Sequence, residues 1–294
     1  MLVSPAQLAQ TSDLDLVIRH VLAGLGHGIH AGRERGAGVE FSEYRAYAPG
    51  DEWRRVDWKL LARADRYYVR EAERDSHVAV WLWLDASASM AEASHHSKQV
   101  DKLWFARTVL ACVAAIAQRQ GDAFGLVVCG AGRVQFVPAA RGPRQMQRVL
   151  AALSRVRPEG ALPDEATLRA SLHFARAPSM IFAVSDFLEQ PSALTQALVR
   201  LRHMRHDVRA LSLFTQAEIE ADFGAGQAYR DPEGGAQIHR FDDSVRAAYQ
   251  QARTAHVESV RALWRQHDVA AHAAAIEQAP ATVLRDWLKR AGRA

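Results

Sequence analysis

The sequence has few features that mark a secreted, membrane-spanning or disulfide-bonded protein. Its 294 residues include only two cysteines, Cys112 and Cys129, and neither stands at a spacing typical of a metal site or a redox pair. Both fall in apolar patterns typical of buried, reduced thiols. No apolar run approaches the ~20 residues that span a bilayer, and the first residues lack the pattern of a targeting signal. We therefore expect a cytoplasmic protein without a membrane span.

The sequence also lacks a strong excess of charge. Lys and Arg number 37 against 33 Asp and Glu, a net charge of +4, and nucleic-acid binding is not expected, because such a surface needs clustered basic residues. The composition, 49% hydrophobic and 24% charged, is that of an ordinary globular protein. Three familiar hydrolase and nucleotide-binding motifs, GxSxG, the P-loop and HExxH, are missing. The charge and composition therefore do not favour a nucleic-acid partner, and the missing motifs do not favour these classes of enzyme.

Residues 77–294 alternate between strand and helix patterns. The segments 78–84, 124–129 and 180–184 are continuous apolar runs, which are typical of strands buried on both faces. Helical patterns lie between them, so the sequence predicts an α/β fold with a doubly wound, mostly parallel sheet. Residues 1–76 differ, with one amphipathic helix, a glycine-rich loop and a block of aromatic and charged residues. We predict that they form a helical and irregular extension that packs on the main domain.

A carboxylate and two hydroxyls follow the first buried strand. The strand runs directly into Asp85, with Ser87 and Ser89 at alternate positions, and the apolar run at 180–184 ends before Asp186. Ligands of open α/β sheets bind outside the carboxyl ends of the strands, so the two ends would meet if the strands are neighbours. Oxygen ligands suit Mg²⁺, and also Mn²⁺ or Ca²⁺. The sequence predicts a metal site here; taken singly, each residue could instead form a turn or cap a helix.

A dense block of aromatic, arginine and aspartate residues precedes the first buried strand. One interpretation, which we favour, is a structural clamp of Arg–Asp pairs and stacked rings that holds an irregular segment in place. The other is a docking surface, because Arg, Tyr and Trp dominate binding hot spots. The acidic residues between the basic ones argue against nucleic acid. The block comprises Arg45, Tyr47, Asp51, Arg54, Asp57, Trp58 and Arg63.

These motifs together resemble a known family. The Asp-x-Ser-x-Ser series after a buried strand, followed by a later Asp, is similar to the von Willebrand A fold. The block from Arg45 to Trp58, with Arg63 after it, resembles the signature of the domain of unknown function 58 family, and Asp-Pro-Glu-Gly at 231–234 resembles a late hairpin of that family. The similarity covers roughly residues 10–240.

The resemblance implies a von Willebrand A-like, Rossmann-like domain at 77–294 and a metal-ion-dependent adhesion site. Its metal residues carry over as Asp85, Ser87, Ser89 and Asp186. Members of the family commonly accompany MoxR-type AAA+ ATPases and are regarded as adaptors in the maturation of protein complexes, with no established catalytic activity.

The family pattern also implies a threonine ligand from a Gly-Thr-x-Leu loop. Aligning this chain on Leu168 puts Ala166 at the threonine position, with Thr167 one residue away. Thr167 is the predicted third ligand, and Asp164 or water is the alternative. Because the pattern is incomplete at this point, we expect weak metal binding.

The sequence therefore predicts a protein-binding module and not an enzyme. A bound ion would accept a carboxylate from a client protein or from a MoxR-type AAA+ ATPase. Two alternatives remain open. One is a metal-dependent hydrolase, which would need a general base that the sequence does not reveal. The other is a scaffold with a vestigial metal site.

Overall fold

The structure is a computed structural model of the chain. It describes residues 4–11, 13–25, 43–47, 58, 60, 63, 67–71, 79–172, 177–223, 228–230, 233, 238–240 and 243–290. Contacts divide the chain into two units, one comprising Met1–Gly28 and Val78–Ala294 and the other Ile29–His77. The predicted boundary at residue 76 stays a prediction.

The smaller unit contains two short strands, which are β1 (Glu43–Ala46) and β2 (Tyr68–Glu71). They pair in antiparallel fashion, with Arg45 opposite Val69.

The helices of the larger unit are α1 (Pro5–Ala9), α2 (Leu14–Leu25), α3 (Lys102–Gln120), α4 (Pro143–Arg155), α5 (Glu165–Ser171), α6 (Ala193–His203), α7 (Gln216–Glu220), α8 (Asp243–Gln266) and α9 (Pro280–Arg290). Its strands are β3 (Ala79–Asp85), β4 (Ala93–Ser94), β5 (Ser97–Asp101), β6 (Phe124–Gly130), β7 (Arg133–Ala140), β8 (Ser179–Ser185), β9 (Asp207–Phe214), β10 (Ala228–Arg230), β11 (Ile238–Arg240) and β12 (Ala270–Ala275). None of the described helices is long and apolar enough to cross a membrane.

Six of these strands form the central sheet, in the order β12-β9-β8-β3-β6-β7. Neighbouring strands are parallel except at the β6–β7 edge. From β3 the chain fills one side of the sheet with β6 and β7, and it then fills the other side with β8, β9 and β12. The predicted doubly wound, mostly parallel α/β fold is confirmed, and its switch point lies between β3 and β8.

The sheet is covered on both faces because successive side chains of a strand point to opposite sides. In β3, Leu82 and Leu84 join the core cluster that contains α3, whereas Trp81 and Trp83 join the cluster that contains α6 and α8. The continuous apolar run of this strand reflects that double burial. Both faces are therefore packed, and the carboxyl ends of the strands remain as a place for a binding site.

The N-terminal amphipathic helix belongs to the main core. Val17, Ile18 and Val21 of α2 are buried in the same cluster as α3. The central helix α3 begins after Asp101, whose side chain accepts a hydrogen bond from the Trp104 backbone N–H, and ends at Gly121, which has a φ of 77°. A left-handed residue at this position is best supplied by glycine. These two caps define where α3 begins and ends. Its first residue, Lys102, lines the candidate site.

Candidate metal centre

The ends of β3 and β8 meet at the switch point, as predicted. Asp85 is the last residue of β3, and Ser185 is the last residue of β8. The Ser185 hydroxyl donates a hydrogen bond of 2.5 Å to Asp85 Oδ2. The next residue, Asp186, is almost fully buried, as is Asp85. The two carboxylates predicted from separate parts of the sequence are therefore brought to one place.

The turn after Asp85 holds two hydroxyls beside the carboxylate. Asp85 Oδ1 accepts a 2.8 Å hydrogen bond from the Ser87 backbone N–H, and Ser87 Oγ lies 3.1 Å from Ser89 Oγ. Ser87 begins a short 3₁₀ turn, Ala88–Ala91, but makes no side-chain capping hydrogen bond. The nearby helix α6 is capped by Ser192 and not by Asp186. Neither Ser87 nor Asp186 caps a helix with its side chain, whereas the hydrogen bond from the Ser87 N–H to Asp85 forms a local turn, as the sequence also allowed.

A buried lysine that the sequence analysis missed lies beside these groups. Lys102 Nζ donates to Asp186 Oδ2 at 3.2 Å and to Glu218 Oε1 at 2.7 Å, and its side chain is 1% exposed. Burial lowers the pKa of Lys102, but the charges of Asp186 and Glu218 outweigh this and raise it. The helix dipole disfavours a cation at the first position of α3, so these carboxylates hold the ammonium in place.

The sequence did carry a weak signal for Lys102. A lysine at the start of a helix is ordinarily exposed. Lys102, however, shares a helix face with Ala106, Val109 and Val113, all of which are buried. A lysine aligned with the apolar face of a core helix indicates a buried partner, and that partner could not be identified because it lies far away in the chain.

The site opens into a cavity of about 390 Å³. Phe187, Phe223, Tyr229 and Tyr249 are among the residues that line it. Lys102 is the only basic side chain among the described lining residues. The lining includes six carboxylates, which are Asp85, Glu92, Asp186, Glu189, Glu218 and Glu233. One ammonium against six carboxylates leaves the cavity with a strong surplus of potential negative charge.

Burial first, and then neighbouring carboxylates, raise the pKa of three carboxyl groups of the cavity. Burial and the charge of Asp186 raise the pKa of Asp85 to about 7, against hydrogen bonds from Ser185 and Ser87. Partial burial and the charge of Glu218 raise the pKa of Glu92. Burial also raises the pKa of Glu233. Carboxyl groups with raised pKa values in a cleft are typical of functional sites.

The residues present fit a hard divalent cation. Mg²⁺ binds six oxygens at 2.0–2.1 Å, so neighbouring ligand oxygens lie about 2.9 Å apart. The 3.1 Å separation of Ser87 Oγ and Ser89 Oγ is close to that value. No group of three or more His, Cys, Asp or Glu side chains is arranged to hold a metal in the described part of the chain. The oxygen donors that line the cavity at this point are the hydroxyls of Ser87 and Ser89 and the carboxylates of Asp85 and Asp186.

The structure does not bring Thr167 to this cavity. Asp164 caps helix α5, and its Oδ1 accepts a 2.8 Å hydrogen bond from the Thr167 backbone N–H, while the Thr167 side chain also hydrogen-bonds Asp164. The preceding loop does approach the site, because the Gly160 carbonyl accepts a 2.8 Å hydrogen bond from the Ala88 N–H. Of this segment, Leu162 lines the cavity, whereas Asp164 and Thr167 do not. Helix capping thus occupies both candidates for the third ligand.

Only part of the upstream block can be located. Asp51, Arg54 and Asp57 lie outside the described residues. Within the smaller unit, Arg45 lies in β1 and the Tyr47 ring is 6.1 Å from that of Tyr67. Trp58 is 57% exposed and Arg63 is also exposed. The choice between a clamp and a docking surface stays a prediction.

The family follows from a match of most of the chain. Residues 43–259 match the family described as "Protein of unknown function DUF58". The chain belongs to this family. The resemblance to this family that was inferred from the upstream block is thereby confirmed. The match to the DUF58 family includes Asp85, Lys102, Asp186 and Glu233, so the residues of the cavity lie within it.

Curated relatives of this DUF58 chain occur in mycobacteria. The proteins "Uncharacterized protein Rv1480" of Mycobacterium tuberculosis and "Uncharacterized protein Mb1516" of Mycobacterium bovis are each 27% identical over 258 residues, which cover 86% of this chain and 79% of the relative.

Solved structures with a similar architecture include the conserved hypothetical protein BatB from Bacteroides thetaiotaomicron. It aligns with a TM-score of 0.45 and 12% identity over 74% of this chain and 100% of that one. An aerotolerance-related membrane protein from Bacteroides fragilis aligns with a TM-score of 0.45 and 14% identity, at the same coverage of both chains.

Proposed function

We propose that this DUF58 protein is a non-enzymatic, cytoplasmic binding module whose switch-point cavity holds a divalent cation, Mg²⁺ in the first instance. Asp85, Ser87, Ser89 and Asp186 would hold the ion. When bound, the ion offers a coordination position to a carboxylate of a partner protein. The observation that carries the proposal is the meeting of Asp85 and Asp186 in a cavity whose carboxylates outnumber its single lysine.

The arrangement of Asp85 suits a fixed ligand better than a catalytic base. Both of its carboxylate oxygens accept hydrogen bonds from the chain, one from the Ser87 N–H and one from the Ser185 hydroxyl. These bonds orient the carboxylate rigidly, as preorganised ion sites require. A general base must instead present an oxygen to the substrate's proton. This contrast favours the binding module over a metal-dependent hydrolase.

The partner that we propose is a MoxR-type AAA+ ATPase or a client protein that presents an acidic side chain. Membership of the DUF58 family supports this choice. An acidic segment would reach the cavity only where an ion offsets the negative charge of the lining carboxylates, because like charges in a cleft repel. Binding should therefore depend on the cation.

The test is affinity purification of the tagged full chain from its native host. We expect partner proteins to be retained in buffer with Mg²⁺ and lost in chelator. Asp85→Ala should lose them in both buffers. Asp222→Ala, which removes an exposed carboxylate outside the cavity lining, should behave as wild type. Identical recovery with Mg²⁺, with chelator and with Asp85→Ala would refute the proposal.

Metal affinity should rise with pH across neutrality. The pKa of Asp85 is raised to about 7 by burial and by Asp186, so an ion must displace a proton from this group at lower pH. Between pH 6 and pH 8 we expect the apparent Mg²⁺ affinity to increase about tenfold, with proton release at pH 6. Calorimetric titration in two buffers of different ionisation enthalpy measures both quantities. A pH-independent affinity without proton release would contradict the assignment.

A further inference from the structure

Glu233 contacts the two serines of the proposed ion site. Its carboxylate accepts hydrogen bonds from the side chains of Ser89 and Ser87, and it lines the same cavity as Asp85 and Asp186. The residue lies between the hairpin strands β10 and β11, far from β3 in the chain. A carboxylate of the protein itself therefore reaches the hydroxyls that the proposed function assigns to the ion.

Strand β10 of the hairpin packs against aromatic residues of the cavity lining. The ring of Tyr229, in β10, lies 5.4 Å from that of Phe223. Phe223 in turn lies 5.1 Å from Tyr249 of helix α8, with the rings nearly perpendicular. Edge-to-face pairs at this separation are stabilising. Tyr229, in the strand before Glu233, is thus packed within the aromatic lining of the cavity.

The hydrogen bonds around Glu233 leave the serine oxygens suited to a cation. Each serine hydroxyl has one proton and two lone pairs. If both protons go to Glu233, none remains for the 3.1 Å contact between Ser87 Oγ and Ser89 Oγ, and their lone pairs converge. The two hydroxyls and the Glu233 carboxylate that hydrogen-bonds them offer three neighbouring oxygens, the number that forms one face of a Mg²⁺ octahedron.

Glu233 also supplies a further oxygen donor at the site, which the loop at 160–168 does not. Thr167, the expected third donor, hydrogen-bonds Asp164 outside the cavity. Glu233 instead offers a carboxylate oxygen at the two serines. Glu233 is a carboxylate, like the ligand that the partner is proposed to provide.

We propose that Glu233 is an intrachain ligand of the ion, and that it takes the coordination position that a partner's acidic side chain needs. The inference rests on the proposed function. In the isolated protein, Glu233 then fills this coordination position. A partner binds by displacing the Glu233 carboxylate from the ion. The partner's acidic segment must then compete with a group that is present at high effective concentration.

The test uses the full chain and two probes, Mg²⁺ and acetate, in calorimetric titrations. Glu233→Gln should weaken Mg²⁺ binding about tenfold or more, as loss of a ligand does. In saturating Mg²⁺ it should strengthen acetate binding several-fold, because the competing carboxylate is gone. Glu220→Gln is the matched control, since Glu220 is an exposed glutamate outside the cavity lining. It should match wild type within about twofold in both titrations.

A second variant separates contact from charge. Glu233→Asp keeps the charge but withdraws the carboxylate by about 1.5 Å. If Glu233 is a ligand, this variant should weaken Mg²⁺ binding and strengthen acetate binding, as Glu233→Gln does. Melting temperatures would show that both variants are folded. Equal Mg²⁺ and acetate affinities in wild type, Glu233→Gln and Glu220→Gln would overturn the inference, while Asp85-dependent Mg²⁺ binding would leave the proposed function standing. Absence of Mg²⁺ binding in wild type would overturn both.

Discussion

Lys102→Met is expected to lower the free energy of unfolding by about 3–5 kcal/mol, because removing one member of a buried ion pair leaves uncompensated charge behind. The ammonium is buried between Asp186 and Glu218, at 3.2 and 2.7 Å. Methionine fills a similar volume, so the loss reports on charge more than on packing. Urea denaturation of the metal-free protein measures it.

The matched control for this variant is Lys98→Met, at an exposed position four residues earlier. It should change the unfolding free energy by no more than about 0.5 kcal/mol. Mg²⁺ should restore part of the stability lost in Lys102→Met, since a ligand that binds only the native state stabilises it. If Lys102→Met unfolds at the same urea concentration as Lys98→Met, the ammonium does not hold the two carboxylates as described.

Asp85→Asn is expected to weaken Mg²⁺ binding by about 100-fold or more, beyond the effect of losing an outer partner of a ligand. Asparagine can still accept from the Ser87 N–H and can donate to Ser185, so the turn keeps its hydrogen bonds. Titration calorimetry measures the loss. Asp164→Asn is the control: Asp164 caps α5 outside the cavity, and asparagine caps equally well, so Mg²⁺ affinity should not change.

The same substitution should stabilise the metal-free protein at pH 8. The pKa of Asp85 is raised from 3.8 to about 7 in the folded chain. Between these values the folded state keeps a proton that the unfolded state has lost, so stability falls as pH rises through this window and stays low above it. Asparagine removes that loss, and the difference between variant and wild type should vanish near pH 4. A destabilised Asp85→Asn at pH 8 would indicate a structural role for the carboxylate instead.

Opposite effects on binding and on stability would identify Asp85 as a residue kept for function. A buried carboxylate next to another one is costly in the metal-free fold, and functional sites commonly retain such costs. Lys102 would behave differently, since its loss harms the fold directly. The pair of variants therefore separates the ion site from its structural support.

The part of the site formed by Asp85, Ser87, Ser89 and Asp186 could be predicted from the sequence because local patterns define it. Two apolar runs of strand length each end at an aspartate, and the chain order of a doubly wound sheet makes such ends meet. Only the pairing of β3 with β8 had to be assumed, and the structure confirms it.

The rest of the site depends on contacts between distant parts of the chain. Glu218 pairs with Lys102, which is 116 positions earlier, and Glu233 reaches Ser87 from a hairpin. No local period links such residues, so single-sequence reasoning has nothing to detect. Thr167 shows the converse limit, because a residue one position from the family pattern turned out to lie in a helix N-terminus, where its partner is Asp164.

The most direct test of the ion site is a crystal structure of the full chain grown with Mn²⁺, with anomalous diffraction measured near the manganese edge. We expect one strong anomalous peak at the carboxyl ends of β3 and β8, with oxygens of Asp85, Ser87 and Ser89 at bonding distance from it. Well-diffracting crystals grown in millimolar Mn²⁺ that show no peak there, with the Lys102 ammonium as the sole cation beside Asp186, would contradict the proposed function.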